Sequence, residues 1–216
     1  FTKAVIPFKT LQGVTGFTFL KDTLERMGVA CNVRLVSEAP NGQPLFSIPT
    51  DSLLKPLMHR SDNFFAEQSL LMVSQRMLGK MDDGAVIDTL LKKDFADLPQ
   101  RPRWADGSGL SRYNLFTPQD FVRILEKMKN EFGMDRIKTI FPMGGEGTLT
   151  NYYTKDSNYI YAKTGTLSGV VSLSGYLYTR KGKLLLFSAL VNNHQASATE
   201  IRRLVENFLL GIREKY

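Results

Sequence analysis

The chain carries two kinds of hydrophobic pattern, one helical and one strand-like. Before residue 159, apolar residues recur every three or four positions in several segments, which is typical of amphipathic helices. These segments predict helices over residues 16–28, after Thr50-Asp51, from Ser61 to about Leu78, over residues 84–95 and from Thr117 onward. The apolar residues of the segment that begins at Ser61 are Phe64, Phe65, Leu71, Met72 and Leu78.

From Tyr159 onward the pattern changes to strands. Residues 170–178 and 184–192 alternate or run apolar, and the short polar segment between them predicts an antiparallel hairpin. Ser197 and Glu200 match a capping box at the start of a final helix. The apolar stripe predicted for that helix consists of Ile201, Leu204, Val205, Phe208, Leu209 and Ile212.

The order of these elements indicates an α+β fold. Helices occupy the middle of the chain and three strands come late, so we expect an antiparallel sheet flanked by helices rather than a doubly wound parallel sheet. A further strand over residues 32–36 and a turn at Pro40-Asn41-Gly42 are predicted near the start.

Two glycine-containing segments interrupt the pattern. Residues 99–116 form a long polar stretch, and loops of this length inside compact domains are usually functional or mobile. Residues 144–147, Gly-Gly-Glu-Gly, lack the lysine and flanking elements of a phosphate-binding loop. They predict a turn.

Composition narrows the classes of protein that fit. With 216 residues, 43% hydrophobic and 23% charged, the sequence is that of an ordinary soluble globular protein with one core. It has no apolar run long enough to cross a bilayer and no signal-peptide pattern at its start. Because it begins at Phe1 rather than Met, we interpret it as a piece of a longer protein.

Neither charge nor metal-binding residues indicate a cofactor or a nucleic acid. The net charge of +7 would suit an acidic partner, but the 28 basic residues are scattered and match no nucleic-acid-binding motif. With Cys31 as its single cysteine, the sequence excludes an internal disulfide, and Cys31 is predicted to be a small buried residue. His59 and His194 lie far apart without other ligands nearby, so no metal site is predicted.

Two tripeptides carry the candidate chemistry. Ser61-Asp62-Asn63 is followed 102 positions later by Lys163-Thr164-Gly165. A given tripeptide occurs by chance about once in 8,000 positions, so two in one chain are informative. Each also has an ordinary interpretation, since the first could simply cap a helix and the second could end a surface strand.

The two tripeptides are two of the three motifs of penicillin-recognising active-site serine enzymes. Together with residues 106–112, Gly147-Thr148-Leu149 and the segment 53–67, they resemble the class C low-molecular-weight penicillin-binding proteins, the D-alanyl-D-alanine carboxypeptidase/endopeptidase family. The resemblance covers nearly the whole chain from about residue 45. It implies a β-lactamase/transpeptidase-like fold, incomplete here. Residues 1–216 would form the C-terminal part of one such domain: a peripheral helix and strand (1–45), a helical part (46–155), and strands with a closing helix (156–216).

The resemblance also implies catalytic roles. Ser61 would pass a proton toward the leaving amine, and Asn63 would hydrogen-bond the substrate amide. Lys163 would shape the electrostatics of the site together with Thr164. The role of the loop from Ser108 to Arg112 is left open.

The residues after Lys163 suit substrate binding. A substrate backbone could pair with this strand as extended peptides do at sheet edges, and Gly165 would allow its close approach. A lysine beside hydroxyl groups suits a ligand that ends in a carboxylate. By resemblance, Thr164, Gly165 and Thr166 would bind the substrate, with the Thr166 N–H in the oxyanion hole.

The sequence departs from the family in its nucleophile. An acyl-enzyme mechanism needs an activated serine, and the only Ser-x-x-Lys is Ser52-Leu53-Leu54-Lys55. Ser52 lies nine positions before Ser61, whereas the family places its nucleophile far upstream, so we interpret Ser52 as a coincidence. The chain also lacks Glu-x-x-Leu-Asn, which argues for peptidase-like rather than lactamase-like turnover.

Two functions remain open at this level. The first is part of a serine-type D-Ala-D-Ala carboxypeptidase or endopeptidase that acts on peptidoglycan stem peptides, binds β-lactams and works outside the cytoplasm without a cofactor. Its nucleophile would lie in a missing N-terminal segment, so this chain alone would be inactive. The second is a non-catalytic peptidoglycan- or peptide-binding module of the same fold.

Overall fold

The computed structural model describes residues 14–32, 48–155 and 157–216. The chain divides into two compact units, Phe1–Phe46 and Ser47–Tyr216. The first contains helix α1, Val14–Arg26, which begins and ends two residues earlier than predicted. Asn32 is irregular, and the rest of the predicted strand and the turn at 40–42 lie outside the described residues.

Four helices form the helical half of the second unit. They are α2 (Thr50–Arg60), α3 (Asn63–Leu78), α4 (Asp83–Lys92) and α5 (Pro118–Ile140). Aspartates cap two of these helices, since Asp62 accepts the N–H of Phe65 and Asp82 accepts that of Ala85. Thr117 and Asp120 form a capping box at α5, which is broken at Gly133, where φ is 74°.

The sheet half contains three antiparallel strands in the order β1-β2-β3. They are β1 (Ile160–Leu167), β2 (Val170–Tyr178) and β3 (Leu184–Asn192). The bounds of β2 and β3 are those predicted from the alternation of the sequence. Helix α6 (Ala198–Lys215) closes the chain, and its predicted capping box of Ser197 and Glu200 is present.

Alternate residues of β1 face two different hydrophobic cores. Ile160 and Ala162 pack on the side of α6 with Leu209. Tyr161 packs on the opposite side against α5, with Ile137. Because side chains alternate along a strand, Lys163 belongs to the α5 face and Thr164 to the α6 face.

Two predicted apolar faces are only partly buried. In α3 the buried apolar residue is Leu70, which was not among the residues predicted for that face, whereas Phe64 and Met72 are 67% and 60% exposed. In α6, Ile201 and Leu209 are buried, but Leu204 and Phe208 are 64% and 67% exposed. The apolar arc of α6 is therefore wider than the surface that the described sheet covers.

Among the described residues, no helix combines the length and the apolar character that crossing a bilayer requires.

Candidate active site

Lys163 and Ser61 meet where the sheet half faces the helical half. The Lys163 Nζ atom donates to the Ser61 Oγ atom at 2.8 Å and to the Thr164 carbonyl oxygen at 2.8 Å. Burial of the ammonium group lowers the pKa of Lys163 to about 8. Residues 102 positions apart in sequence are thus in direct contact.

The position of Ser61 is set by a tight junction between two helices. Ser61 ends α2 in the left-handed region, with φ 54° and ψ 53°, and its N–H returns to the Leu57 carbonyl oxygen. Asp62 then caps α3, and Asn63 is the first residue of that helix. The helix-capping role considered for this tripeptide belongs to Asp62. Ser61 and Asn63 are not needed for that role, and both are exposed.

Ser52 is placed away from this contact. It lies near the start of α2, is exposed, and donates its N–H to the Pro49 carbonyl oxygen. Ser61 lies nine positions further along the chain, which corresponds to about 13 Å along the helix axis.

The strand that carries Lys163 is fixed from two sides. The Thr164 hydroxyl donates to the Thr148 hydroxyl at 2.8 Å, which ties β1 to the 3₁₀ turn Gly147–Leu149. Gly147 has φ 50° and packs so closely on α2 that an added Cβ would lie 2.6 Å from the His59 carbonyl oxygen. The predicted turn at residues 144–147 therefore places β1 against α2.

Gly165 is closely packed against the neighbouring strand. A Cβ atom at this position would collide with the Ser172 hydroxyl of β2. Glycine therefore leaves room for the Ser172 side chain here, in addition to any role in the approach of a substrate.

The Thr166 hydroxyl contacts a residue that the sequence did not single out. The Arg202 guanidinium of α6 donates to the Thr166 Oγ1 atom at 2.6 Å. Thr166 is exposed, whereas Arg202 is half-buried. A polar position on an amphipathic helix gives no sign in the sequence that it will reach another element.

The loop at 99–116 is held by a network of hydrogen bonds. Asp106 accepts the N–H groups of Gly109 and Ser111 at 2.6 and 2.7 Å. Glu67 of α3 accepts the N–H groups of Gly107 and Ser108, both at 3.0 Å.

The same loop also reaches the sheet half. The Arg112 guanidinium donates to the Ser168 carbonyl oxygen, just beyond β1, at 3.0 Å. The loop therefore bridges the helical half and the sheet half through Glu67 and Ser168.

No metal-binding cluster of three or more His, Cys, Asp or Glu side chains is found within the part of the chain that the structure describes.

Comparison with known proteins identifies the family. The sequence profile of the D-Ala-D-Ala carboxypeptidase 3 (S13) family matches residues 12–209, which is most of the chain. The chain belongs to this S13 family. The family predicted from the motifs is confirmed.

Two curated relatives show the extent of the match. The chain is 32% identical over 193 residues to the D-alanyl-D-alanine carboxypeptidase DacB of Haemophilus influenzae, covering 82% of this chain and 40% of that protein. It is 34% identical over 166 residues to a D-alanyl-D-alanine carboxypeptidase of Actinomadura sp., covering 70% of this chain and 30% of that protein. This S13 chain thus spans less than half the length of these relatives.

A solved structure confirms the predicted fold class. Penicillin-binding protein 4 of Haemophilus influenzae, crystallised with a β-lactam, superposes with a TM-score of 0.69 at 25% identity. The match covers 92% of this chain and 51% of that one. The S13 chain therefore has part of a penicillin-binding-protein fold, with helices and an antiparallel sheet.

Proposed function

We propose that this chain is part of a serine-type D-Ala-D-Ala carboxypeptidase or endopeptidase. The enzyme would act on peptidoglycan stem peptides through an acyl-enzyme intermediate, and β-lactams would acylate the same serine. It would work without a cofactor outside the cytoplasm, in the periplasm or cell envelope, where peptidoglycan is found.

The observation that carries this proposal is the 2.8 Å hydrogen bond between the Lys163 ammonium and the Ser61 hydroxyl. A leaving amine must gain a proton when its bond to the acyl carbon breaks. A lysine with a pKa of about 8 exchanges protons near neutral pH, and a hydroxyl bonded to it can relay one. Ser61 and Lys163 together supply such a relay, and Asn63 would hold the substrate amide beside it.

The substrate would lie along the outer edge of β1. Within the described residues, β1 pairs with only one other strand, β2, so the backbone around Gly165 and Thr166 can pair with an extended peptide. The Thr164 and Thr166 side chains would contact the substrate, and the Thr166 N–H would stabilise the oxyanion.

The nucleophile would come from a segment that precedes Phe1 in the parent protein. Within the described residues β3 pairs only with β2, and Leu204 and Phe208 of α6 are exposed. A preceding segment that adds strands beside β3 and packs on α6 would cover both surfaces. The 40% coverage of the Haemophilus influenzae relative leaves room for such a segment.

A binding module of the same fold is the second candidate. It is favoured by the placement of Ser52, because the only Ser-x-x-Lys serine lies about 13 Å of helix from Ser61. Such a module would use Lys163 and Thr166 to bind a peptide carboxylate without forming a covalent adduct.

Labelling of the full-length parent by a fluorescent penicillin separates the two candidates. We expect the parent to be labelled covalently, Ser61→Ala to be labelled about 100-fold more slowly, and Ser52→Ala to be labelled normally. A folded parent that binds peptidoglycan fragments by calorimetry but takes no label would establish the binding module. The 216-residue chain alone is expected to turn over no D-Ala-D-Ala peptide.

A further inference from the structure

Arg202 is an arginine without an acidic partner at the edge of the candidate site. It lies in the second turn of α6 and donates to the Thr166 hydroxyl at 2.6 Å. The nearby carboxylates of α6 are engaged elsewhere, because Glu200 caps the helix through Ser197 and Glu206 pairs with Arg203. Arg202 forms no ion pair with any residue that the structure describes.

The contact places a positive charge beside the hydroxyl that follows the Lys-Thr-Gly motif. Thr166 lies three residues beyond Lys163, about 10 Å along the strand. It also lines a cavity of about 520 Å³, together with Ser168, His194 and Ala198. The Arg202–Thr166 pair is therefore next to open space at the end of β1.

A guanidinium group suits this position for a chemical reason. It presents five donors in a planar fork that matches a carboxylate, and the bond to Thr166 uses only one of them. Because Thr166 accepts from Arg202, its own hydroxyl proton remains available to donate. The two side chains can therefore bind one carboxylate from two directions.

We propose that Arg202 is a substrate-binding residue that, with Thr166, binds the carboxylate carried by the leaving residue of the substrate. This inference rests on the proposed function, and it assigns the recognition of that carboxylate to a residue of α6. Peptides and β-lactams that carry a free carboxylate next to the scissile amide bond are then preferred over neutral analogues. Lys163 is left to its contact with Ser61.

The test compares acylation of the full-length parent by penicillin and by its neutral methyl ester. Loss of a charge-assisted hydrogen bond predicts that Arg202→Gln slows acylation by penicillin about 10- to 100-fold. The ester, which cannot form the ion pair, reacts at the same rate with both proteins. Arg202→Lys keeps the positive charge but lacks the planar pair of donors. Its ratio of penicillin to ester acylation rates should lie between those of the wild type and Arg202→Gln.

Arg203→Gln is the matched control, because it removes the same charge from the next residue of α6. Arg203 contacts Glu206 and the Tyr152 ring instead of Thr166, so the penicillin-to-ester ratio should not change. Thermal melting checks that each variant folds. If Arg202→Gln does not fold, the ratio for Arg202→Lys decides the question.

The outcomes separate this inference from the proposed function. If the wild-type parent is acylated but Arg202→Gln changes neither rate, or lowers both equally, Arg202 does not bind the carboxylate. If the folded wild-type parent is not acylated at all, the proposed function fails and this inference fails with it.

Discussion

The two walls of the candidate active site are built in different ways. The sheet wall, residues 163–166 of β1, belongs to a continuous antiparallel pairing with β2. The helix wall, residues 61–63, is a three-residue junction between α2 and α3 whose first residue has a left-handed backbone. Packing of backbone against backbone sets the first wall, and local chain geometry with one aspartate cap sets the second. Substitutions in the two walls should therefore differ in kind and in size.

The largest effect is expected from adding a methyl group to β2 where it packs against β1, the strand that carries the sheet wall. In Gly175→Ala, the added Cβ would lie 2.6 Å from the Ala162 Cα atom and would also collide with the Tyr161 carbonyl oxygen. Backbone atoms cannot move aside as a flexible side chain can, so we expect a loss of about 3 kcal/mol of unfolding free energy. Urea denaturation measures this loss.

Gly211→Ala is the control for that substitution. No atom lies within 4 Å of the added Cβ at this position in α6, so the change should stabilise the protein by about 0.8 kcal/mol through helix propensity. If both alanine variants had the same stability, β1 and β2 would not be packed as closely as described.

The next effect is a pH dependence that belongs to the sheet wall alone. Burial lowers the pKa of Lys163 from 10.5 to about 8, so between these values the unfolded chain binds a proton that the folded chain does not. Stability should therefore rise as the pH increases from 8 to 10.5. The penalty for burying the ammonium applies in full below pH 8.

Lys163→Met removes this dependence. The unfolding free energy of the wild type relative to this variant should increase by roughly 2 kcal/mol between pH 8 and pH 10.5. This value is smaller than the full pKa shift would give, because solvent screens part of the charge. Denaturation at pH 7, 8, 9 and 10 gives the curve, with Lys183→Met, which removes an exposed lysine, as the control. A constant difference at all four values would mean that the Lys163 ammonium is well solvated.

The smallest effect tests the backbone strain in the helix wall. Ser61→Gly and Ser61→Ala both remove the hydroxyl, but only glycine adopts a φ of 54° without a steric cost. The glycine variant should be more stable than the alanine variant by about 1 kcal/mol. Equal stabilities in urea would show that the junction relaxes to another conformation.

The sequence predicted the bounds of the three strands better than it predicted the contacts around them. Strands β2 and β3 have the predicted bounds because an alternating pattern and a polar turn determine both ends of a hairpin. The start of β1 was predicted one residue early, because Tyr159 ends a 3₁₀ turn before the strand begins at Ile160. Short-range rules account for all of these features.

Contacts between distant residues could not be predicted in the same way. The meeting of Ser61 and Lys163 was expected only from the resemblance to a family, because no periodicity relates two such distant residues. Glu67 and Arg202 were not singled out at all, since each looks like an ordinary polar residue on a helix. Their partners become visible only when α3 meets the loop and α6 meets β1.

The uncovered side of β3 has a consequence for the behaviour of this polypeptide in solution. A strand whose outward N–H and C=O groups lack a partner can recruit the same strand from another molecule. On α6, the exposed Leu204 and Phe208 add apolar surface that favours self-association as the protein concentration rises. Light scattering over a dilution series should therefore reveal self-association of the isolated polypeptide, which a detergent or a covering peptide would suppress.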